Sequence, residues 1–253
     1  MSRPWALVSA LHDELAAVLD LMPDETKQRV AGRDFWVGHL QGRPVIATLS
    51  GIGKVAAATT ATLLIERFGV QGIVFTGLAG GLGHRVRVGD VVVARVLIQH
   101  DMDARPLFPR HMIPDLRKDA FVTHAGIGNA VVQSAQEVLR HVADHVPSQT
   151  LEHYGLHQPS VHEGLILSGD RFVSTATDSD ELVRRLPQAL AVEMEGAAMA
   201  QVCHDFDVPL AVVRTISDRA DDSAHVDFKG FLRDVASHYS AAMIERLVPQ
   251  LPV

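Results

Sequence analysis

The chain has 253 residues, of which 47% are hydrophobic, and 23 Lys and Arg stand against 30 Asp and Glu for a formal net charge of −7. That apolar share excludes disorder, and the length suits one large domain or two small ones with a sizeable core. The acidic balance without a dense Lys/Arg run argues against nucleic acid as a partner, and no apolar run approaches the ~18–20 residues of a membrane helix.

Arg3 and a short apolar stretch lead directly into His12, Asp13 and Glu14, too short and too acidic a start for a signal peptide. The only cysteine, Cys203, leaves no intrachain disulfide framework. A soluble cytoplasmic protein is the expectation.

Apolar runs read as buried strands at ALVSA (6–10), PVIATLS (44–50), GIVFTG (72–77), DVVVARVLI (90–98), GLILSG (164–169), ALAVEM (189–194) and PLAVVRTI (209–216). DVVVARVLI is long enough to belong to a strongly bent or antiparallel region. Helical patterns lie between. Residues 53–67 are rich in Ala and Leu, Val131, Ala135, Val138, Leu139 and Val142 recur at helical spacing, and so do Phe228, Phe231, Leu232, Val235, Tyr239, Met243 and Leu247. Strands alternating with helices predict an α/β protein with a largely parallel sheet, in one domain over 1–253.

Polar and glycine residues gather at the carboxyl ends of these strands, the edge where open α/β sheets bind ligands. ALAVEM, EGAAMAQVCHDF and PLAVVRTISD have the lengths of a β–α–β unit, with parallel strands and a right-handed crossover expected. Glu195 then stands near a helix N-terminus, where the dipole and free N–H groups favour an anion, and Asp218 ends the second strand. The two acids can face one pocket, although a first-turn helix acid is an equally good reading of Glu195.

Other motifs are weaker. Gly51, Gly53 and Ala56 of SGIGKVA fit G-x-G-x-x-A, but the next strand ends in Thr76 and Gly77 without the acid that a dinucleotide site requires. A tight turn whose backbone approaches some ligand is preferred. The upstream Gly and the Ser or Thr after Lys of a Walker A loop are missing. Fourteen histidines form no H-E-x-x-H, and His100, Asp101 and Asp103 read better as polar loop residues than as metal ligands. Ser168 lies outside any G-x-S-x-G, and Cys203 reads as a buried inert thiol. No metal and no cofactor is expected.

SGIGKVAAA (50–58), TGLAGGL (76–82), GDVVV (89–93), SGDRFV (168–173), AVEMEGAA (191–198) and VVRTISDRAD (212–221) follow in this order. Together they resemble the 5′-methylthioadenosine/S-adenosylhomocysteine nucleosidases of the nucleoside phosphorylase superfamily, over nearly the whole chain. The resemblance implies a three-layer α/β/α sandwich around a mixed, partly closed sheet, in a homodimer that serves methionine salvage. It implies hydrolysis of an N-glycosidic bond, giving adenine and a 5-thioribose. By the same resemblance Glu14 activates the attacking water with Arg214 near it. Glu195 bonds the ribose hydroxyls beside the Met194 backbone, and Asp218, supported by Ser217, protonates adenine N7. Phe172 stacks on adenine, the Val173 backbone pairs with the base edge, and Ile52 and Phe228 surround the 5′ substituent.

The chemistry suits these residue types. An oxocarbenium-like state is stabilised by nearby carboxylates, and adenine leaves well only once protonated, which a buried neutral acid can do. Glu193 reads as a buried structural acid with a backbone or basic partner. The chain departs from the family in the SALHDE turn (9–14), at Leu78, where several relatives carry a serine that helps to hold the water, and in the segment 100–114. In relatives that segment of the partner subunit covers the 5′ end, a part that Pro106, Phe108, Pro109 and Met112 can take.

Three rival readings stand beside this one. The first is a phosphorolytic enzyme of the superfamily, with Arg214 on phosphate. Glu14 opposes it, since a carboxylate ~6 Å from a phosphate charge costs about 3 kcal/mol at an effective dielectric near 20. The others are a nucleosidase for another purine nucleoside or a futalosine-like compound, and a silent nucleoside-binding homologue.

Overall fold

All seven apolar runs form strands in the computed structural model, which describes residues 3–221 and 228–252. In chain order the elements are β1 (Trp5–Ser9), α1 (His12–Leu19), β2 (Thr26–Val30), β3 (Arg33–Leu40), β4 (Arg43–Leu49), α2 (Lys54–Glu66), β5 (Gly72–Thr76), β6 (Leu78–Gly81), β7 (Val91–Gln99), β8 (Phe121–Val122) and α3 (Ala125–Arg140). There follow α4 (Ser148–His153), β9 (Val161–Ser168), α5 (Ala176–Arg185), β10 (Ala189–Glu193), α6 (Gly196–Asp205), β11 (Leu210–Asp218), α7 (Phe228–Phe231) and α8 (Ser237–Leu247), the last two joined by a π-helical turn over Leu232–Ala236.

The strands form one sheet in the order β2-β3-β4-β1-β5-β11-β6-β10-β9-β7-β8. An extra pairing of β11 with β7 closes β11, β6, β10, β9 and β7 into a ring. The other half stays open, with β4, β1, β5 and the start of β11 parallel. This is the mixed, partly closed sheet that the resemblance implies.

Period-two alternation sends the strands' side chains to two cores. Trp5, Leu7 and Val74 face α1, α3 and α8, and Ala6, Val8, Ile73 and Phe75 face α2 and α6. The sheet is thus the middle of three layers. In the C-terminal helical stretch Phe231, Leu232, Val235, Tyr239, Met243 and Leu247 are all buried, as their spacing predicts. Among the described residues no helix is long and apolar enough to cross a membrane.

Two features depart from the expectation. The β10–α6–β11 segment is not a parallel β–α–β unit. β6 lies between its two strands, parallel to β11 and antiparallel to β10, so β10 and β11 run in opposite directions. Segment lengths cannot report that, because β11 takes its direction from distant partners, β5 and β7.

The second departure is a hairpin, β2–β3, at the sheet's open edge. β2 is exposed along almost its whole length and carries no apolar run to read. Its two-residue turn at Ala31–Gly32, like the one at Gln41–Gly42, has positive φ at both positions, the type I′ geometry that matches strand twist. Helix α5 also lacked an apolar signature. Its visible marks are Thr175, whose hydroxyl accepts from the Asp178 N–H, and Arg184 and Arg185 in the last turn.

Candidate active site

The carboxyl ends of β1, β4, β9, β10 and β11, together with β6, surround a cavity of about 230 Å3, the scale of a small-molecule site. Ile52, Phe172, Val173, Met194, Glu195, Ser217, Asp218 and Phe228 line it, so the structure brings together eight of the ten residues singled out. Glu14 and Arg214 do not reach its wall. Both are fully buried behind it.

Neighbouring strand residues normally point to opposite faces, yet Ser217 and Asp218 both line the cavity. The pairing of β11 with β6 slips between Ile216 and Asp218, and this bulge re-aims the strand end. Asp218 is held from two sides. Its Oδ2 accepts from the Ser217 hydroxyl at 2.7 Å, and its Oδ1 accepts from the Ala220 N–H at 2.7 Å.

Glu195 stands at the N-cap position of α6, and its Oε1 accepts from the Gly53 N–H at 2.7 Å, in another loop. Burial, then the charge of Glu193, raises its carboxyl above the ordinary range. The Gly53 contact explains the glycine turn read in SGIGK. Gly53 has φ of +87°, and a Cβ there would lie 2.9 Å from Asp170 Oδ1. The backbone does approach a partner closely, and that partner is protein.

Glu193 behaves as a structural acid, although its side chain also touches the cavity. Its carboxylate accepts from the Glu195 and Gly196 N–H groups at the start of α6, from the Ser168 hydroxyl and from Arg214 Nη2 at 2.7 Å. The Arg214 guanidinium lies over the Phe75 ring and donates to the Phe75 and Val213 carbonyls. Arg214 therefore acts at one remove from the cavity, and the charge it neutralises directly is that of Glu193.

Glu14 lies behind the cavity on α1. Its Oε1 accepts from the Ser240 hydroxyl at 3.2 Å, and its Oε2 has no partner among the described residues. Burial pushes its carboxyl up to about 7, against the opposing pull of the Arg214 charge, the Ser240 hydroxyl and the backbone at Leu11 and Ala10. A carboxyl held there can exchange a proton at neutral pH.

Phe172 is 45% exposed at the mouth and Ile52 is 71% exposed. Leu78 supplies an apolar wall. The sequence reading did not single out Arg171, a cavity residue that pairs with Asp178, and it marked the SALHDE turn without placing Ala10 and Leu11 at the cavity. Proximity to Phe172 and Glu14 in the chain was their only signal. Asp101 binds Lys54, Asp103 binds Arg105 and Arg110, and no group of three His, Cys, Asp or Glu among the described residues is placed to hold a metal ion. Cys203 is buried, which pushes its thiol up to about 12.

A half-open, half-closed sheet with an acid-lined cavity at its strand ends defines a class, and comparison with known proteins agrees: the profile of the Phosphorylase superfamily matches residues 4–249. Within that superfamily the chain belongs to the 5′-methylthioadenosine/S-adenosylhomocysteine nucleosidase family. It is 34% identical over 254 residues to the nucleosidase of that name from Shewanella sediminis, across 97% of this chain and 98% of the relative. The Neisseria meningitidis nucleosidase, solved in complex with methylthio-immucillin-A, superposes with a TM-score of 0.85 at 30% identity, over 99% of this chain and 100% of that one. A futalosine hydrolase mutant of Helicobacter pylori matches with a TM-score of 0.85 at 31% identity, over the same shares.

Proposed function

We propose that this protein hydrolyses the N-glycosidic bond of 5′-methylthioadenosine and S-adenosylhomocysteine, releasing adenine and a 5-thioribose derivative. The observation that carries the reading is Glu14, a buried carboxyl behind the cavity, with one oxygen free among the described residues and a pKa near neutrality. A water there can lose a proton to Glu14 as it attacks the sugar carbon. A phosphate there would meet a second negative charge in a poorly solvated place.

The other roles are those the family resemblance implies, and the places of these residues around the cavity support them. Asp218, steadied by Ser217, delivers a proton to N7 of the leaving adenine. Glu195, fixed by Gly53, accepts from the ribose hydroxyls next to Met194. Phe172 stacks on the base, the Val173 backbone reads its edge, and Ile52 and Phe228 enclose the 5′ substituent. Arg214 steadies the Glu193 carboxylate and moderates Glu14.

The reading extends to one domain over 1–253, supported by a single eleven-stranded sheet, and to a homodimer. Exposed Ile52, Val55 and Leu107 are large apolar side chains of the kind that a partner subunit covers. Cytoplasmic methionine salvage is the setting we infer, with neither nucleic acid nor membrane as partner.

The test is release of adenine from methylthioadenosine in phosphate-free buffer, with futalosine and other purine nucleosides in the same panel. Free thioribose without phosphate is expected. A strict need for phosphate with a sugar 1-phosphate as product overturns the hydrolytic reading, and faster turnover of futalosine would reassign the substrate.

A further inference from the structure

Three strand-end loops, those after β4, β7 and β9, meet beside the cavity, and a cluster of charged groups outside the proposed catalytic set ties them together. Lys54 is the first residue of α2 and Asp101 stands two residues beyond β7, while Asp170 follows β9 directly before Arg171, Phe172 and Val173. The Lys54 ammonium donates to Asp101 Oδ1 at 2.6 Å. The other oxygen of Asp101 accepts the Asp170 N–H at 2.8 Å, and Asp170 Oδ1 in turn accepts the Lys54 N–H at 2.7 Å. The three residues thus close a loop of hydrogen bonds, each bond carrying a full charge on at least one side. The Gly53 N–H, one residue away, is bound to Glu195.

The packing around the cluster leaves little slack. A Cβ on Gly169 would lie 2.3 Å from the His100 ring, so the loops after β7 and β9 approach as closely as a glycine permits. The His100 N–H donates to the Ser168 carbonyl at 3.0 Å and the Gly169 N–H to the Glu193 carbonyl at 3.1 Å. The Lys54 side chain is only 17% exposed and that of Asp101 30%, which places this pair between a surface ion pair and a buried one.

We propose that Lys54, Asp101 and Asp170 are positioning residues, a clamp that locks the turn carrying Ile52 against the turn carrying Phe172 and Val173 and so sets the shape of the cavity mouth. None of the three side chains is among those that line the cavity. They act through the residues beside them. Ile52 and Phe172 are 71% and 45% exposed, and the clamp fixes the backbone close beside each of them. A wall set by the clamp contacts substrate equally before and during bond breaking, so loosening it weakens binding more than chemistry.

The kinetic part of this inference rests on the hydrolase reading above, and the structural part does not. The test compares wild type with Asp101→Ala, Lys54→Met and the double variant. Hydrogen exchange is followed in the free protein for peptides covering 50–56 and 168–174, beside KM and kcat for methylthioadenosine. Each single variant should speed exchange in both peptides, although each removes a side chain from only one loop. KM should rise about tenfold with kcat within about threefold, the scale of a charge-assisted hydrogen bond that is partly exposed. The double variant should be no worse than Asp101→Ala alone, because Asp101→Ala already removes the one link that Lys54→Met removes. Asp101→Asn, which keeps an acceptor for the Asp170 N–H, should recover part of KM. A lowered melting temperature with unchanged exchange at 168–174 and unchanged KM would make the cluster merely structural and overturn the proposal, as would fully additive losses. If wild type releases no base, the hydrolase reading falls while the exchange comparison still decides whether the clamp exists.

Discussion

Replacing Glu14 by Gln tests the central electrostatic feature of this site through stability, before any chemistry is considered. Glu14 is wholly buried, and its carboxyl titrates at about 7 in place of 4.5. A carboxyl whose folded-state pKa is raised holds its proton more tightly when folded. Its contribution therefore favours the fold at low pH and is lost as pH climbs from about 4.5 through about 7. The interval from 4.5 to about 7, at 1.36 kcal/mol per pKa unit, corresponds to roughly 3 kcal/mol of strain imposed by the ionised group above pH 8. Gln is nearly isosteric, retains an acceptor for Ser240 and carries no charge. Its amide N–H groups need acceptors, and any that go unmet cost ~1–3 kcal/mol at every pH. The informative quantity is thus the change with pH. Urea unfolding of both proteins at pH 5 and pH 8.5 should show the Gln variant gaining up to about 3 kcal/mol on wild type between the two. Glu195 is present in both proteins and drops out of the comparison to first order. Adenine release should meanwhile fall by ~10²–10⁴, as for loss of a general base. A stability difference that is the same at both pH values would mean that Glu14 titrates as an ordinary carboxylate, and the argument for it as the base near neutrality would fail.

Asp218→Asn keeps the size of the side chain and its neighbours Ser217 and Ala220 but cannot deliver a proton, so kcat should drop by ~10²–10⁴ while substrate analogues still bind. A nitrophenyl riboside, whose leaving group needs no proton, should be largely spared if the pocket accepts it, and equal loss on both substrates would leave Asp218 only a positioning role. Arg214→Met strands the Glu193 carboxylate in the core and should cost ~3–5 kcal/mol in chemical denaturation. Adding Glu193→Gln should recover part of that loss, and a strictly additive double variant would refute the pairing argument. Leu78→Ser should change the rate by less than about tenfold, or ~1.4 kcal/mol, if Glu14 alone commands the water. A large gain in adenine release would instead identify Leu78 as a brake on hydrolysis.

What the sequence determined by itself is local or periodic. Seven apolar runs became strands because a strand buried on both faces must be apolar along its length. The C-terminal helical face from Phe231 to Leu247 was legible for the same kind of reason. The glycine turn at 51–53 announced a close backbone approach, and two acids at 193 and 195 announced a charge that burial had to satisfy. Tertiary structure decided everything that depends on who pairs with whom. The direction of β11 against β10 is set by β5, β6 and β7, strands ~120–140 positions away in the chain that no segment length encodes. The edge strand β2 was silent because an exposed edge strand has little to bury. That Arg214 answers Glu193 and stands back from the cavity follows from the closure of β11 onto β6 and β7, which turns its guanidinium into the core. The near-neutral carboxyl at Glu14 likewise exists only after α1 and α8 have packed and expelled water, because a pKa is raised by what surrounds a group and not by its neighbours in the chain.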